Sequence, residues 1–185
     1  MTIESENNES IMLSRAIPSD ARGIQILTAE ASKGMYKLCG WSDDDILNHF
    51  TPEKLESGSK RLQDAIQTFT EANILFVAKD SKGKIIGCCF AEKYDTQNKI
   101  EAVYLYPEYQ GTGLGKTLYD EAFKEIDPMK ETVLDVFSLN VKAIKFYKKL
   151  GFSETGKRFF DQTYADSKKK PLEITEMKLN SERGI

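Results

Sequence analysis

The chain has 185 residues, of which 40% are hydrophobic, and its formal net charge is −3. This length is enough for one domain with a sizeable core, and the slightly acidic balance gives no electrostatic reason to expect nucleic acid or an anionic membrane as a partner. No apolar run approaches the roughly 20 residues that a membrane-spanning helix needs, and the acidic, polar residues 1–10 do not resemble a secretory signal. We therefore expect a cytoplasmic protein.

Cysteine and histidine are too few for several kinds of site. The three cysteines cannot all pair, and the neighbours Cys88 and Cys89 would point to opposite faces of a strand, which suits reduced thiols. His49 is the only histidine, so a histidine-dependent triad or a multi-histidine metal site is disfavoured. We expect no metal.

The pattern of apolar residues predicts one domain over 11–185 after a disordered tail over 1–10. The predicted elements of its first half are a strand over 11–17, a helix to about residue 32, a short helical pattern over 46–50, a longer helix that starts at Thr51 and Pro52, and a hairpin with strands over 74–79 and 84–93. Those of its second half are a strand over 100–106, a helix from 114 to about 126, a strand over 132–137, a helix over 140–150, and a closing hairpin with strands over 152–164 and 171–179. Hairpins mixed with strand–helix crossovers predict a mixed sheet with helices on its faces.

A glycine-rich turn, Gln110-Gly111-Thr112-Gly113-Leu114-Gly115-Lys116, joins the strand over 100–106 to the helix that follows. Glycines let a backbone come close to a ligand, and the first helical turn offers unpaired N–H groups and the positive end of the helix dipole. Strand, turn and helix together therefore predict a phosphate site.

The spacing of the turn separates the common phosphate loops. A nucleotide-triphosphate loop would need glycine at position 110, where this chain has glutamine. A dinucleotide fingerprint that starts at Gly111 would need glycine at position 116, where this chain has lysine. The spacing Gln-x-x-Gly-x-Gly from Gln110 to Gly115 instead resembles the acetyl-CoA pyrophosphate loop of the GCN5-related N-acetyltransferase (GNAT) family.

A second segment strengthens this resemblance. Residues 140–152 have the spacing Asn-x-x-Ala-x-x-Phe-Tyr-x-x-x-Gly-Phe, which is similar to the second acetyl-CoA segment of the family and lies at the usual distance after the loop. The resemblance covers roughly residues 11–179. It implies an α/β (mixed α+β) fold with a mostly antiparallel central sheet and helices on both faces.

The resemblance implies an acetyl-CoA-dependent N-acetyltransferase in which a primary amine attacks the thioester directly. Acetyl-CoA is then a cosubstrate, and Tyr147 is the acid that protonates the departing CoA thiolate; a phenol with a pKa near 10 keeps its proton at neutral pH. Without this context Tyr147 would be read as a core residue, and Asn140 simply as a helix cap. The residues implied to bind acetyl-CoA are Val103, Tyr104, Leu105, Gln110, Gly111, Thr112, Gly113, Leu114, Gly115, Lys116, Thr117, Asn140 and Tyr147.

Glu101 is the candidate base for the acceptor amine. Strict alternation would place it on the same face as Val103 and Leu105, beside the thioester. The alternative is a structural ion pair with a neighbouring lysine. The strand main chain at 103–105 is implied to polarise the thioester oxygen.

The acceptor is less constrained by the sequence. Residues 41–55 resemble bacterial GNAT enzymes that include polyamine acetyltransferases, and Asp43 to Asp45 would attract a cationic amine such as spermidine or spermine. The structural alternative is that Ser42 and Asp45 form a capping box at the start of a helix. A peptide or protein amine is the next candidate acceptor, and a non-catalytic acyl-CoA-binding sensor is the competing class of function. Exposed closing strands often pair in such folds, so a homodimer is a further expectation.

Overall fold

A computed structural model of the chain describes residues 1–4, 10–161 and 172–180. The strands are β1 (Thr2–Glu4), β2 (Ser10–Arg15), β3 (Asn73–Lys79), β4 (Ile85–Lys93), β5 (Gln97–Leu105), β6 (Glu131–Phe137), β7 (Phe152–Asp161) and β8 (Leu172–Leu179). The helices are α1 (Ala21–Leu38), α2 (Asp43–His49), α3 (Pro52–Gln67), α4 (Leu114–Phe123) and α5 (Val141–Lys149). Short 3₁₀ turns cover Pro18–Asp20 and Pro107–Tyr109.

The strands form one eight-stranded sheet in the order β1-β2-β3-β4-β5-β6-β8-β7. Within the described residues every neighbouring pair is antiparallel except β5 and β6, which run parallel because α4 carries the chain across the sheet between them. The mixed, mostly antiparallel sheet predicted from the sequence is confirmed.

Helices cover both faces of the sheet, as predicted. On one face α4 and α5 bury Leu118, Ala122 and Tyr147 against the strands, together with Ile100 and Leu134. On the other face α1 and α3 pack Leu27 and Ile66 against strand residues that alternate with the first set. Two apolar layers therefore hold the central strands in place from both sides.

A third, smaller apolar cluster fixes α2 at one end of the molecule. Trp41 and Ile46 pack with Tyr36 of α1 and with Leu172 at the start of β8. Because α2 is only Asp43–His49, its position depends on this packing and on its cap rather than on its own helical stability.

The structure differs from the predicted elements mainly at their ends. The predicted tail is wrong for residues 2–4, which form β1 and pair with β2; residues 5–9 lie outside the described part of the chain. Helix α1 continues to Leu38 because Met35 and Tyr36 extend its buried face. The predicted strand ends at 162–164 and at residue 171 also fall outside the described residues. No helix in the described ranges is both long and apolar enough to cross a bilayer.

Candidate active site

An opening between β5 and β6 is the central feature of the candidate site. The two strands pair only from Gln97–Ile100 to Glu131–Leu134, although β5 continues to Leu105. Beyond Ile100 the main chain of β5 therefore has no hydrogen-bonding ladder with β6. A sheet that parts in this way exposes backbone donors within an otherwise buried layer.

The alternation of the backbone shows which donors face the opening. The Tyr106 amide donates to the carbonyl of Ile86 on β4 at 3.3 Å. Successive amides of a strand point to alternate sides, so the amide of Tyr104 also faces β4, whereas those of Val103 and Leu105 face the opening. Of the three strand residues expected at the thioester, Val103 and Leu105 have amides that face the opening, and the Val103 amide also lies against the Tyr147 hydroxyl.

The glycine turn and the start of α4 follow β5 directly. Gly113 is the N-cap residue of α4 with φ +87°, and Gly111 has φ +85°, both in the left-handed region that glycine adopts most readily. A Cβ atom added at either position would meet no atom within 4 Å, so the space above both residues is open. The first-turn amides of α4 have no partner within the helix. This open cradle of amides fits a pyrophosphate.

Gly115 has a different role, because it lies against the protein. A Cβ atom there would approach Leu105 Cδ1 to 3.1 Å and Phe146 Cε2 to 3.4 Å. Gly115 therefore lets α4, α5 and the end of β5 come together. The two predicted acetyl-CoA segments meet at this contact.

The side chains of the turn bond mostly to the turn itself. The Thr112 hydroxyl donates to the carbonyl of Tyr109 at 2.8 Å, and the Thr117 hydroxyl donates to that of Gly113 at 3.3 Å. Lys116 pairs with Asp120 one helical turn along. Leu114 is buried in the core, whereas Gln110 is exposed. The turn consequently presents mainly its backbone to a ligand.

The second segment supplies a cap and a buried phenol. Asn140 caps α5 by accepting a hydrogen bond from the Ala143 amide at 3.1 Å, so the capping interpretation is confirmed. Tyr147 is buried, with its ring edge-on to Phe152 at 5.9 Å between centroids. Burial raises the pKa of Tyr147 above its usual value, and a hydrogen bond with the backbone of Val103 acts in the opposite direction. The phenol therefore keeps its proton and lies at the β5 main chain that borders the opening.

Glu101 lies on the face opposite to the one predicted. A β-bulge in β5 pairs Ala102 with Phe90 and Ile100 with Ala91, which leaves Glu101 as the extra residue. Val103 and Leu105 pack in the core beneath α4 and α5, whereas Glu101 contacts Lys99, so the alternation argument for Glu101 is wrong. The bulge reverses the alternation between residues 101 and 103.

Both carboxylate oxygens of Glu101 have partners. The Tyr94 hydroxyl donates to Oε1 at 3.0 Å, and Lys99 Nζ lies 3.4 Å from Oε2. The same ammonium lies 2.9 Å from Asp135 Oδ2 on β6. The alternative, a structural pair with a neighbouring lysine, is thus what the structure shows.

Sequence reasoning missed Lys99 and Asp135. Ile100 and Leu134 lie beneath α4, so their chain neighbours Lys99 and Asp135 project to the opposite face by alternation. The only available signal was the Lys-x-Glu spacing from Lys99 to Glu101, which places the two on one face of a strand. The sequence could not show that Asp135 lies beside Lys99, because the parallel register of β5 and β6 is set by tertiary contacts.

The acidic run Asp43 to Asp45 forms the first turn of α2 and stabilises its start. Ser42 and Asp45 form the capping box, with the Asp45 amide donating to Ser42 Oγ at 3.1 Å and the Ser42 amide donating to Asp45 Oδ2 at 3.0 Å. Asp43 lies 2.8 Å from Lys37. His49 packs against Phe50 and Trp41. The capping interpretation of Asp45 is therefore confirmed. Among the described residues no group of three or more His, Cys, Asp or Glu is arranged to hold a metal.

Comparison with known proteins agrees with this arrangement. The peptidyl-lysine N-acetyltransferase YjaB of Escherichia coli is 27% identical over 100 residues, which are 54% of this chain and 63% of that protein. The match thus covers somewhat less than two thirds of that relative. Similar solved structures include the PaiA N-acetyltransferase of Thermoplasma acidophilum in complex with coenzyme A, which is 24% identical, with a TM-score of 0.59 over 91% of this chain and 98% of that one. A spermidine N-acetyltransferase chimera that includes the Vibrio cholerae enzyme is 20% identical, with a TM-score of 0.61 over 91% of this chain and 94% of that one.

These structural likenesses agree with the fold, and the family is shown by a match to its model. The model of the acetyltransferase (GNAT) family matches residues 43–152, a range that includes the opening, the glycine turn and Tyr147. The chain belongs to the GNAT acetyltransferase family.

Proposed function

We propose that the protein transfers the acetyl group of acetyl-CoA to a primary amine. The observation that carries the proposal is the opening between β5 and β6, which leads directly into the glycine turn and has the Tyr147 phenol at its edge. One continuous stretch of chain thus offers donors for a thioester, a cradle for a pyrophosphate and an acid. No separate nucleophile is needed if the amine attacks directly.

The amides around Gly111 and Gly113 would hold the pyrophosphate, aided by the dipole of α4. The thioester would then lie in the opening, with its oxygen near the amides of Val103 and Leu105. Those amides would stabilise the negative charge that develops on the oxygen during attack. Because these amides belong to a rigid sheet, they need little reorganisation when the amine attacks.

The reaction balances with the groups present. The amine nitrogen forms a bond to the carbonyl carbon, and the carbon–sulfur bond breaks. The thiolate of CoA takes the phenolic proton of Tyr147, and the amine loses a proton to Glu101 directly or through water. Before the next cycle Glu101 releases its proton to solvent and Tyr147 regains one from solvent.

Charge on the sheet face opposite to α4 supports a cationic acceptor. Glu101 and Asp135 border the opening on this face, and Glu176 lies opposite Asp135 in the β6–β8 register. Lys99 and Lys157 balance part of this negative charge. An acceptor that approaches from this side would meet carboxylates before it reached the thioester.

The acceptor we favour is the side-chain amine of a lysine in a peptide. The support is the partial sequence similarity to a peptidyl-lysine N-acetyltransferase. A polyamine is the second candidate, because a carboxylate-rich face also suits a molecule with several positive charges. The Asp43 to Asp45 run no longer supports it specifically, since Asp45 caps α2 and Asp43 pairs with Lys37.

The test is the release of CoA thiol from acetyl-CoA in the presence of single amines. The panel contains an Nα-blocked lysine peptide, spermidine, spermine and an aminoglycoside, with the same peptide carrying an acetylated lysine as its control. We expect the lysine peptide to be turned over and its acetylated form to be inert. Thermal stabilisation by acetyl-CoA without release for any amine would favour the non-catalytic sensor. Neither binding nor release would contradict the proposal.

A further inference from the structure

Lys99 lies next to the point in the sheet where β5 and β6 separate. Its partner in the parallel register is Val133, one rung before the last paired residues, Ile100 and Leu134. The two strands separate immediately after the Ile100–Leu134 pair. Lys99 therefore lies at the vertex of the opening, on the face that an acceptor would approach.

The ammonium of Lys99 joins the two strands at this vertex. It lies 3.4 Å from Glu101 on its own strand and 2.9 Å from Asp135, which is the first residue of β6 beyond the paired segment. The Lys99 side chain is 25% exposed and those of its partners are 24% and 29% exposed, so this is a partly buried pair of contacts rather than a surface one. Contacts of this kind are screened less by solvent than exposed pairs.

The surroundings keep Lys99 charged. Burial lowers the pKa of its ammonium, but hydrogen bonding to Asp135 and the charges of Glu101 and Asp135 outweigh this effect, so the pKa is raised overall. The charged or titratable groups around the cluster are Glu92 opposite Lys99 on β4, the Tyr94 hydroxyl on Glu101, and Glu176 and Lys157 beyond Asp135.

We propose that Lys99 is a positioning residue for acetyl transfer, which ties Glu101 to Asp135 across the vertex and holds both carboxylates at the acceptor side of the opening. The inference rests on the proposed function. It assigns no contact between Lys99 and the substrate: the lysine acts through the two carboxylates. Without it, two carboxylates would face each other where the strands part, with no cation between them.

The test compares Lys99→Met with Lys99→Arg and with Lys178→Met. Lys178 is a matched control, since it pairs with Glu131 at the other end of β6, away from the opening. We expect Lys99→Met to lower kcat about tenfold at neutral pH and to move the acid limb of the kcat profile upward by about one pH unit. Lys99→Arg and Lys178→Met should stay within about threefold of the parent protein, because each keeps the charge at position 99.

A merely structural lysine would lower kcat by the same factor at every pH, and that result would overturn the proposal. So would an unchanged kcat profile in Lys99→Met. If Lys99→Met does not fold, Asp135→Asn gives a second test, because it removes the carboxylate at the other end of the same contact and should move the acid limb in the opposite direction. Additive effects of Asp135→Asn and Lys99→Gln on kcat would contradict the coupling.

A readout without turnover separates this inference from the proposed function. Amide hydrogen exchange at Ile100 and Leu134 should rise in Lys99→Met and stay unchanged in Lys178→Met. Raised exchange in a protein that acetylates no amine would show that the proposed function had failed while Lys99 still tied the strands. Unchanged exchange in a protein with normal turnover would overturn the inference alone.

Discussion

Two residues near the opening carry the chemistry in this account, and their environments differ. Tyr147 is buried among aromatic rings with its hydroxyl at the Val103 backbone. Glu101 is partly exposed and bonded to Tyr94 and Lys99. An apolar environment favours the neutral phenol, whereas the carboxylate is held in place by a cationic and a hydroxyl partner. The proton donor is thus kept in the protonated state that its role needs, and the candidate proton acceptor is fixed in position by its two partners.

Replacing Tyr147 by phenylalanine should remove the acid and little else. We expect Tyr147→Phe to lower kcat by about 10- to 1,000-fold, with a small change in the Kd for acetyl-CoA, because the ring and its packing remain. Steady-state kinetics and calorimetric titration measure the two effects. Tyr119→Phe is the matched control, since Tyr119 is also buried beside Phe152 but lies on α4. Equal losses in both variants would remove the assignment of Tyr147.

Glu101→Gln tests the base. We expect kcat to fall more at about pH 6.5 than at about pH 9.5, since a larger share of the acceptor amine is already deprotonated at the higher pH. Glu92→Gln is the control, because Glu92 also accepts from the Tyr94 hydroxyl but lies on β4. A loss of the same size at all pH values would indicate that Glu101 only supports the structure.

At the scale of elements, the glycine turn and α4 form the cofactor cradle. Gly113→Val should add about 1 to 2 kcal/mol of backbone strain and place a branched side chain in the open space where phosphate would bind. We expect acetyl-CoA affinity to fall at least tenfold by calorimetric titration.

Gly83→Val controls for the strain in this experiment. Gly83 is in the β3–β4 turn at φ +79°, and a Cβ atom there also meets nothing within 4 Å. Both variants should lose a similar free energy of unfolding, but only Gly113→Val should lose the cofactor. Normal acetyl-CoA binding by Gly113→Val would contradict the cradle.

Elements with strong local signals could be predicted from the sequence. The start of α4 after the glycines, the cap at Asn140 and the proline start of α3 all depend on short-range chemistry. The bulge at Glu101 could not be predicted, since strands without a bulge have the same apolar pattern. Nor could the vertex at Lys99, because the register of a parallel pair depends on the crossover through α4. The site residues missed by sequence reasoning are those fixed by these two tertiary features.

At the scale of the whole molecule, the central sheet is buried under helices on both faces. This burial changes the pKa of the cysteine thiols in the sheet. Cys88 and Cys89 are both buried in β4. Burial raises the pKa of the Cys88 thiol to about 12 and raises that of Cys89 as well. In the unfolded chain a thiol titrates near pH 8.5.

This difference predicts an alkaline loss of stability. Below about pH 8.5 both states hold the thiol protons; above it the unfolded chain releases them and the folded protein does not, so the free energy of unfolding falls as pH rises. We expect a loss of about 2 kcal/mol per thiol between pH 8 and pH 10, measured by urea unfolding. The slope should be smaller in Cys88→Ala/Cys89→Ala. An equal slope in that variant would assign the alkaline effect to other groups.

The most direct test of the account is a crystal structure of the protein with a non-transferable acetyl-CoA analogue. We expect the pyrophosphate on the amides between Gly111 and Lys116, and the carbonyl oxygen between β5 and β6 at about 2.7–3.1 Å from the Val103 nitrogen. The sulfur should lie within reach of the Tyr147 hydroxyl. An analogue bound away from the opening, or one whose carbonyl points to solvent, would contradict the account.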